Sequence, residues 1–361
     1  MPKILIAPLD WGLGHTTRCI PIIYHLLNGG AEVLLAGNEI QQAVLQKEFP
    51  ACTFLPLHGY QVSYSKSPKT LAWKILKQAP SIMTAIKAEN KWLNKIIQQH
   101  KIDAVISDNR FGLYSDKVPC IFLTHQLYIK SNMGSVTEWL IQKTNYRYIN
   151  RFSSCWVPDY DGTPNLAGEL SHPAKKPLTQ LHYIGPLTRM QPKSVAQQPG
   201  HVLIILSGPE PQRSMFEQTI FQQLQNFTGS ATIVRGLPAN KNCPPSTSGI
   251  TMYNHLAKDD LNKEMCRAEY IIGRTGYSTV MDLTAFKLKA ILVPTPGQPE
   301  QEYLGEYLSA QKFCITASQQ NFNLHKLLLE AQAFEFQNPF VNKISSRGAA
   351  AVQALVESLK A

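Results

Sequence analysis

The feature that most constrains the fold is a strand, a glycine-broken turn and a helix at the start of the chain. Residues Lys3 to Pro8 form a short apolar run of the kind found in buried strands. The turn Asp10-Trp11-Gly12-Leu13-Gly14-His15 follows, and Thr16 and Thr17 are placed to cap a helix with a regular apolar face. Such a turn presents backbone N–H groups at a helix N-terminus, and glycine lets the backbone approach a ligand closely. The pattern therefore predicts an anion-binding turn.

His15 stands at the mouth of this turn, directly after Gly14 and three residues before Arg18. An imidazole can titrate near neutral pH and accept a proton as a general base. A lone histidine in such a place can also serve only to close the loop by bonding a neighbouring carbonyl. The two glycines and Arg18 favour the functional interpretation, so we predict His15 as the catalytic residue.

Length and composition indicate two ordered domains. The chain has 361 residues, which exceeds the size at which a single core usually keeps growing. Hydrophobic residues make up 44% and charged residues 17%, a balance typical of globular proteins. The seven cysteines are scattered and never spaced as CxxC, which predicts reduced thiols and no metal site.

The start of the chain and its charge bear on location and partners. Met1-Pro2-Lys3 leads directly into the first strand without signal-peptide anatomy, and no apolar run is long enough to span a bilayer, so we expect a cytoplasmic protein. The formal net charge of +10 is compatible with nucleotide phosphates, acidic lipid or nucleic acid. We expect no nucleic-acid partner, because no basic tract is interleaved with aromatic residues.

Strands and helices alternate along the whole chain, which predicts parallel sheets with right-handed crossovers. Apolar runs predict strands at 3–8, 32–36, 53–57, 104–107, 120–124, 155–157, 181–184, 202–206, 232–234, 250–253, 270–273 and 290–293. Residues 186–200 contain three prolines and little apolar periodicity, and so form a linker. We therefore predict an N-terminal domain over 1–185 and a C-terminal domain over 201–361, each Rossmann-like and facing the other across a cleft. The final helix could pack back on the first domain.

Residues 68–100 follow a helical pattern, and Pro80 is expected to split it into two helices. Its lysines form either a solvated face or, with Trp73, Ile75 and Leu76, a surface that contacts anionic membrane lipid.

Polar side chains follow two of the predicted strands. Asp108, Asn109 and Arg110 come after one strand, and His125 comes after the next. Ligands of open parallel sheets bind beyond the carboxyl ends of the strands, so these residues should share one edge with His15. We predict that they and Arg18 contact a ligand at this edge; the alternative is that they brace loops.

A second strand, turn and helix lies at Glu269 to Glu306. The turn between the strand and the helix could hold a diphosphate through its backbone amides and the side chain of Arg274. The turn consists of Arg274, Thr275, Gly276, Tyr277, Ser278 and Thr279. Asp282, one helical turn after Ser278, could accept hydrogen bonds from ribose hydroxyls. Each residue has a plainer interpretation, with Ser278 as a helix cap, Asp282 as a solvated acid and Arg274 as a surface charge.

These segments resemble the GT-B glycosyltransferases, and in particular the family of the bacterial N-acetylglucosaminyltransferase MurG. That family opens with a glycine turn carrying a histidine, which GLGH matches here, and has an R-x-G-A-x-T-x-x-E motif for diphosphate and ribose, which RTGYSTVMD matches with Asp282 in place of Glu. The resemblance implies an α/β fold of GT-B architecture.

The resemblance also implies further donor-binding residues. A D-x-Q-x-x-x-N stretch contacts the donor sugar in the family; here Pro299 and Gly305 replace its Asp and Asn, and Gln301 and Glu302 remain to bind sugar hydroxyls. The loop SGPEPQRS stands where relatives have a phosphate loop, so Gly208 and Arg213 are expected to contact phosphate. The segment that binds the base corresponds to His255 and Leu256, beside Asn254.

The function implied is an inverting, metal-independent transfer of a UDP-linked hexose or N-acetylhexosamine to a sugar or lipid-linked acceptor, in the cytoplasm or at the inner face of the membrane. The UDP-sugar is a substrate, and no cofactor is expected. Gly14 is then assigned to donor binding, and the acceptor side is assigned to Arg18, Asp108, Asn109, Arg110 and His125. GxGHxxR also resembles the nucleotide-sugar hydrolase PseG, which shares the fold, so hydrolysis is an alternative. A non-catalytic nucleotide-sugar sensor is a third.

Overall fold

The computed structural model describes residues 1–60, 68–131, 133–238, 240–340 and 346–360, excluding the side chains of 68–77 and 79. The described residues divide into two compact units. One unit holds residues 1–60, 70–131, 133–188 and 346–360, and the other holds 68–69, 189–238 and 240–340.

The first unit is built on a parallel sheet. Its strands are β1 (Lys3–Pro8), β2 (Glu32–Gly37), β3 (Thr53–Pro56), β4 (Ala104–Asp108), β5 (Cys120–Leu123), β6 (Ser154–Val157) and β7 (Leu181–Tyr183). They lie in the order β3-β2-β1-β4-β5-β6-β7. The helices between them are α1 (Leu13–Asn28), α2 (Glu39–Glu48), α3 (Pro68–His100) and α4 (Ser135–Ile149), and a short 3-10 helix spans Gly168–Leu170. The central strand β1 is almost wholly buried, which explains its unbroken apolar sequence.

The second unit repeats this design. Its strands are β8 (Val202–Ile205), β9 (Ala231–Val234), β10 (Ile250–Tyr253), β11 (Tyr270–Gly273), β12 (Lys289–Leu292) and β13 (Cys314–Thr316). They form a parallel sheet in the order β10-β9-β8-β11-β12-β13. The helices are α5 (Gln212–Leu224), α6 (Lys258–Arg267), α7 (Tyr277–Leu283), α8 (Pro299–Ala310) and α9 (Leu324–Ala333). Two Rossmann-like units with parallel sheets confirm the predicted α/β class; the three-residue strand β13 was not predicted.

The last described helix, α10 (Arg347–Ser358), belongs to the first unit and packs on α1. Lys360 Nζ, just beyond α10, donates to the carbonyl oxygen of Gly29 at 3.1 Å. The boundary between the units falls between Thr188 and Arg189, inside the segment that sequence analysis assigned to the linker. From there the chain lies along α6, where Gln191 and Asn262 exchange two hydrogen bonds.

The prediction that Pro80 separates two helices is wrong. Helix α3 continues through Pro80 for 33 residues. Proline removes a single N–H donor, and a helix of this length keeps its hydrogen bonds on both sides of that position.

A buried charge cluster fixes the loop after β4, and it corrects the prediction for Arg110. The Arg110 side chain has no exposed surface; its Nε donates to Glu89 Oε1 at 2.8 Å and its Nη1 donates to the carbonyl oxygen of Pro8 at 3.2 Å. Tyr60 donates to the other oxygen of Glu89 at 2.7 Å. Arg110 therefore ties α3 to the end of β1 and is not an acceptor-side contact, because its guanidinium faces the interior.

Replacing Arg110 by alanine should lower the free energy of unfolding by about 3–5 kcal/mol, because the Glu89 carboxylate would remain buried without its cation. The matched control is Lys130→Ala, which breaks the exposed Lys130–Glu169 pair and should cost less than about 1 kcal/mol. Urea unfolding followed by circular dichroism measures both changes. Equal unfolding midpoints for the two variants would show that the buried Arg110–Glu89 pair contributes no more to stability than the exposed pair.

Candidate functional site

The turn before α1 places His15 in the first turn of that helix. Gly12 occupies the N-cap position with φ of 101° and ψ of 166°, and the helix begins at Leu13. The prediction that Thr16 and Thr17 cap the helix is therefore wrong, since the positive φ of Gly12 lets the chain enter the helix earlier. Thr17 lies inside the helix and donates to the carbonyl oxygen of Gly14 at 3.2 Å.

His15 contacts the last residue of β4. Its Nδ1 lies 3.1 Å from Oδ2 of Asp108, and the side chains of the two residues are 17% and 0% exposed. Asp108 is beside Pro8 in the parallel register of β4 with β1. The carboxyl end of one strand and the turn after its neighbour therefore meet, as the topology predicts.

Asp108 also pairs with Arg18, one turn further along α1. Arg18 Nε lies 3.1 Å from both carboxylate oxygens, and its Nη2 donates to Oδ1. Burial alone would raise the pKa of the Asp108 carboxyl. The positive charge of Arg18 and the interactions with His15 outweigh burial and lower that pKa to about 2. Asp108 is therefore ionised throughout the physiological pH range.

An ionised Asp108 determines which nitrogen of His15 carries the proton. Since a carboxylate only accepts hydrogen bonds, Nδ1 of His15 must be the protonated, donating nitrogen. In the neutral ring, Nε2 then has the lone pair that can accept a proton from another molecule. The pair has the geometry of a general base oriented by an aspartate.

Three residues assigned to the acceptor side prove to be buried behind His15. Arg18, Asp108 and His125 are 3%, 0% and 4% exposed, and Nη1 of Arg18 lies 3.2 Å from Nδ1 of His125. The structure therefore corrects their role from contacting the acceptor to supporting His15. Asn109 is half-buried with φ of 55°, and its N–H donates to the carbonyl oxygen of Leu123.

In the second unit, the loops after β8, β11 and β12 meet at the carboxyl edge of the sheet, and Arg274 joins them. Its Nη2 donates to the carbonyl oxygen of Gln212 at 2.9 Å and to Gln319 Oε1 at 2.7 Å. Its Nη1 donates to the carbonyl oxygens of Val293 and Pro294. The prediction that the side chain of Arg274 lies open to a diphosphate is corrected: it is 1% exposed, because these interior acceptors bind its guanidinium. Burial lowers its pKa to about 10, so it stays charged at neutral pH.

Arg213 is likewise engaged within the protein. It pairs with Glu210 at 2.7 Å and with Glu217 at 3.2 Å, and its Nη1 donates to the carbonyl oxygen of Arg235. The prediction that Arg213 contacts phosphate is corrected, since both acidic neighbours already neutralise it. Gly208 lies in the same loop with φ of 104°, a conformation that favours glycine.

Three buried polar atoms of these loops have no hydrogen-bond partner among the described residues: Arg274 Nε, Thr275 Oγ1 and Thr295 Oγ1. Buried polar atoms are nearly always paired in folded proteins, so these three unpaired atoms mark this edge of the sheet as unusual. Thr295 and Gln319 were not predicted. The position of Thr295 after a buried strand could have indicated it, whereas Gln319 follows the unpredicted strand β13.

The segment Arg274 to Asp282 leads into α7. Gly276 is the N-cap and the helix begins at Tyr277, so Ser278 is not the cap residue that the plainer interpretation assigned. Ser278, Thr279 and Asp282 are half-buried on the helix.

Gln301 and Glu302 brace the loop after β12. Gln301 Oε1 accepts from the N–H of Thr295, and Glu302 Oε1 accepts from the N–H of Gly297, both at 2.9 Å. These oxygens are therefore already used by the protein, while the contacts predicted with sugar hydroxyls stay a prediction. His255 is exposed and Leu256 is buried in the connection between β10 and α6.

Trp73, Ile75 and Leu76 of the predicted membrane surface lie outside the described side chains. Among the residues that the structure does describe, no helix is long and apolar enough to cross a bilayer, and no cluster of His, Cys, Asp and Glu is suited to a metal ion.

Comparisons with known proteins place this geometry in a family context. Residues 239–355 match the glycosyltransferase family 28 C-terminal domain. An uncharacterized glycosyltransferase of Methanosarcina acetivorans is 22% identical over 324 residues, which cover 83% of this chain and 81% of that protein. The UDP-N-acetylglucosamine--N-acetylmuramyl-(pentapeptide) pyrophosphoryl-undecaprenol N-acetylglucosamine transferase of Haemophilus ducreyi is 23% identical over 336 residues, covering 90% of this chain and 88% of that enzyme.

Solved structures with the same fold span the whole chain. Acinetobacter baumannii MurG has a TM-score of 0.55 at 14% identity, covering 100% of this chain and 99% of that one. The spinosyn rhamnosyltransferase SpnG, solved with thymidine diphosphate, has a TM-score of 0.64 at 13% identity with 100% of both chains covered. The two parallel sheets and these solved structures show the GT-B fold, and the family 28 match over residues 239–355 and the curated relatives show that the chain resembles the MurG-like glycosyltransferases.

Proposed function

We propose that the chain is an inverting glycosyltransferase that moves a hexose or N-acetylhexosamine from a UDP-linked donor to an acceptor hydroxyl, with His15 as the general base. The observation that carries the proposal is the 3.1 Å contact between Nδ1 of His15 and the carboxylate of Asp108. This contact orients the ring and leaves Nε2 as the proton acceptor.

In the proposed reaction, Nε2 of His15 takes the proton of the acceptor hydroxyl as its oxygen attacks the anomeric carbon of the donor sugar. The new C–O bond forms on the face opposite the diphosphate, and the bond to the diphosphate breaks with its electron pair. The imidazolium that results faces the negative charge of Asp108. That charge stabilises the protonated ring in the transition state, in a site already arranged for it.

The second unit supplies groups suited to the leaving diphosphate. The backbone amides at the start of α7 are donors suited to an anion, and the unpaired hydroxyls of Thr275 and Thr295 are buried behind them. Arg274 adds a permanent positive charge behind them. Charge on the diphosphate oxygens can be stabilised by these groups, so we propose a reaction that needs neither a metal ion nor a cofactor.

The names of the relatives support our proposal for the donor and the acceptor. The Haemophilus enzyme is named for UDP-N-acetylglucosamine and for a pyrophosphoryl-undecaprenol acceptor, which supports a UDP-linked donor here. We propose a sugar or lipid-linked acceptor, and a cytoplasmic protein that contacts the inner face of an anionic membrane peripherally.

Replacing His15 by alanine should reduce turnover by roughly 10²–10⁴-fold, the usual effect of removing a positioned general base. Folding and UDP affinity should persist, because the groups proposed for the nucleotide lie in the second unit. The measurement is UDP release from UDP-N-acetylglucosamine, UDP-glucose and UDP-galactose, with and without sugar or lipid-linked acceptors. The matched control is His325→Ala on α9, where the ring is exposed.

The same measurement separates transfer from hydrolysis. A transferase should release UDP slowly from donor alone and faster when a suitable acceptor hydroxyl is present. Rapid release that no acceptor accelerates, and that His15→Ala abolishes, would replace the proposal by hydrolysis. Equal rates in wild type and His15→Ala would remove His15 from the chemistry.

Asp282→Ala should weaken UDP binding by about 1.5–3 kcal/mol, the value of hydrogen bonds to a charged group, if its carboxylate accepts from the ribose hydroxyls. Isothermal titration calorimetry with UDP and with uracil measures the loss, which should be confined to UDP. Glu330→Ala, an exposed acid on α9, is the control and should bind UDP normally. An Asp282→Ala protein with wild-type UDP affinity would refute the ribose contact.

A further inference from the structure

We infer that Arg18 is a positioning residue of the proposed reaction: by pairing with Asp108 it sets the pH range in which His15 acts as a base. The inference rests on the proposed role of His15 and concerns a residue that sequence analysis assigned to the acceptor. Arg18 has no exposed group with which to bind an acceptor, since its side chain is 2% exposed.

The carboxylate of Asp108 contacts both His15 and Arg18, which belong to α1. Its Oδ2 contacts Nδ1 of His15, and Arg18 contacts both oxygens through Nε and Oδ1 through Nη2. His15 and Arg18 are three residues apart on α1, so both face the end of β4. The imidazole and the guanidinium are therefore held in a fixed relation to one buried negative charge.

This arrangement resolves a conflict between orienting a base and keeping it unprotonated. A buried carboxylate beside an imidazole favours the protonated ring, and a protonated ring cannot accept a proton from the acceptor hydroxyl. The positive charge of Arg18 offsets the field of Asp108 at the ring. His15 thus keeps the orienting hydrogen bond while its ring can still accept a proton.

The other groups near Asp108 do not supply this charge. Cys19 Sγ lies 3.7 Å from Oδ2, and burial raises the pKa of its thiol well above the usual value, so it stays neutral. His125 Nδ1 accepts from Arg18 and so carries no proton on that nitrogen. Arg110 is paired with Glu89, and the carboxylate of Asp10 accepts from the N–H of Tyr60. Within the described residues, Arg18 is therefore the permanent cation that pairs with Asp108.

The test compares Arg18→Met, which removes the positive charge, with Arg18→Lys, which keeps it. The pH dependence of UDP release from UDP-N-acetylglucosamine is measured for each, together with titration of the His15 ring by NMR, its resonance being assigned from its loss in His15→Ala. In Arg18→Met, the acid limb of the pH–rate profile and the titration midpoint of the His15 ring should both move to higher pH by about one to three units. This is the size of effect that an opposite charge in contact, here that of Asp108, has on a titrating group. In Arg18→Lys both should stay close to wild type.

Other results of the same measurements would overturn the inference. If Arg18→Met lowers the plateau rate and leaves both titrations where they are in wild type, Arg18 only supports the fold and the inference is wrong. Should Arg18→Met fail to fold, the double variant Arg18→Met with Asp108→Asn removes both buried charges and should titrate close to the wild-type pH, because the two charges offset each other at the ring. A titration well below the wild-type pH would show that Asp108 acts on the ring without compensation by Arg18, and it would overturn the inference. A wild type that releases no UDP refutes the proposed function, while the ring titration still decides the role of Arg18.

Discussion

The buried negative charge of Asp108 is the interaction on which the site of the first unit depends. A carboxylate without exposed surface is tolerated only where hydrogen bonds and an opposite charge replace the water it has lost. Arg18 and His15 supply them from α1. The requirement that stabilises Asp108 in the fold is thus the same requirement that orients the imidazole, so the contacts of α1 with the end of β4 position His15, the proposed base.

The second unit places a buried charge at the equivalent point of its own sheet. In the first sheet the strand order reverses between β1 and β4, and Asp108 is the last residue of β4. In the second sheet the order reverses between β8 and β11, and Arg274 directly follows β11. Ligands of doubly wound sheets bind at this switch point. The signs of the two charges differ. The negative charge orients His15, the proposed base, in the first unit. The positive charge of Arg274, 4.5 Å from the centre of the Phe216 ring, lies behind the loops proposed to bind a diphosphate.

Sequence reasoning could predict which residues come together but not which way they face. The alternation of strands and helices predicted two parallel sheets, and the common edge of parallel strands predicted that His15, Asp108 and His125 would meet. Whether a charged residue at a strand end points outward or inward depends on its partner, and the partners are distant in sequence: Glu89 is 21 residues from Arg110, and Gln319 is 45 residues from Arg274. Short elements such as β13 carry too few residues for a periodic pattern.

The central claim is a single displacement at the anomeric carbon with His15 as the base. Its most direct test is the configuration of the first product formed from UDP-N-acetylglucosamine, whose sugar is α-linked, read from the anomeric proton by NMR before mutarotation. Water or an added hydroxyl compound can serve as acceptor, so the acceptor need not be known. The account predicts the β configuration. A first product with the α configuration would contradict it, because one direct attack on the face opposite the diphosphate cannot retain the configuration of the donor.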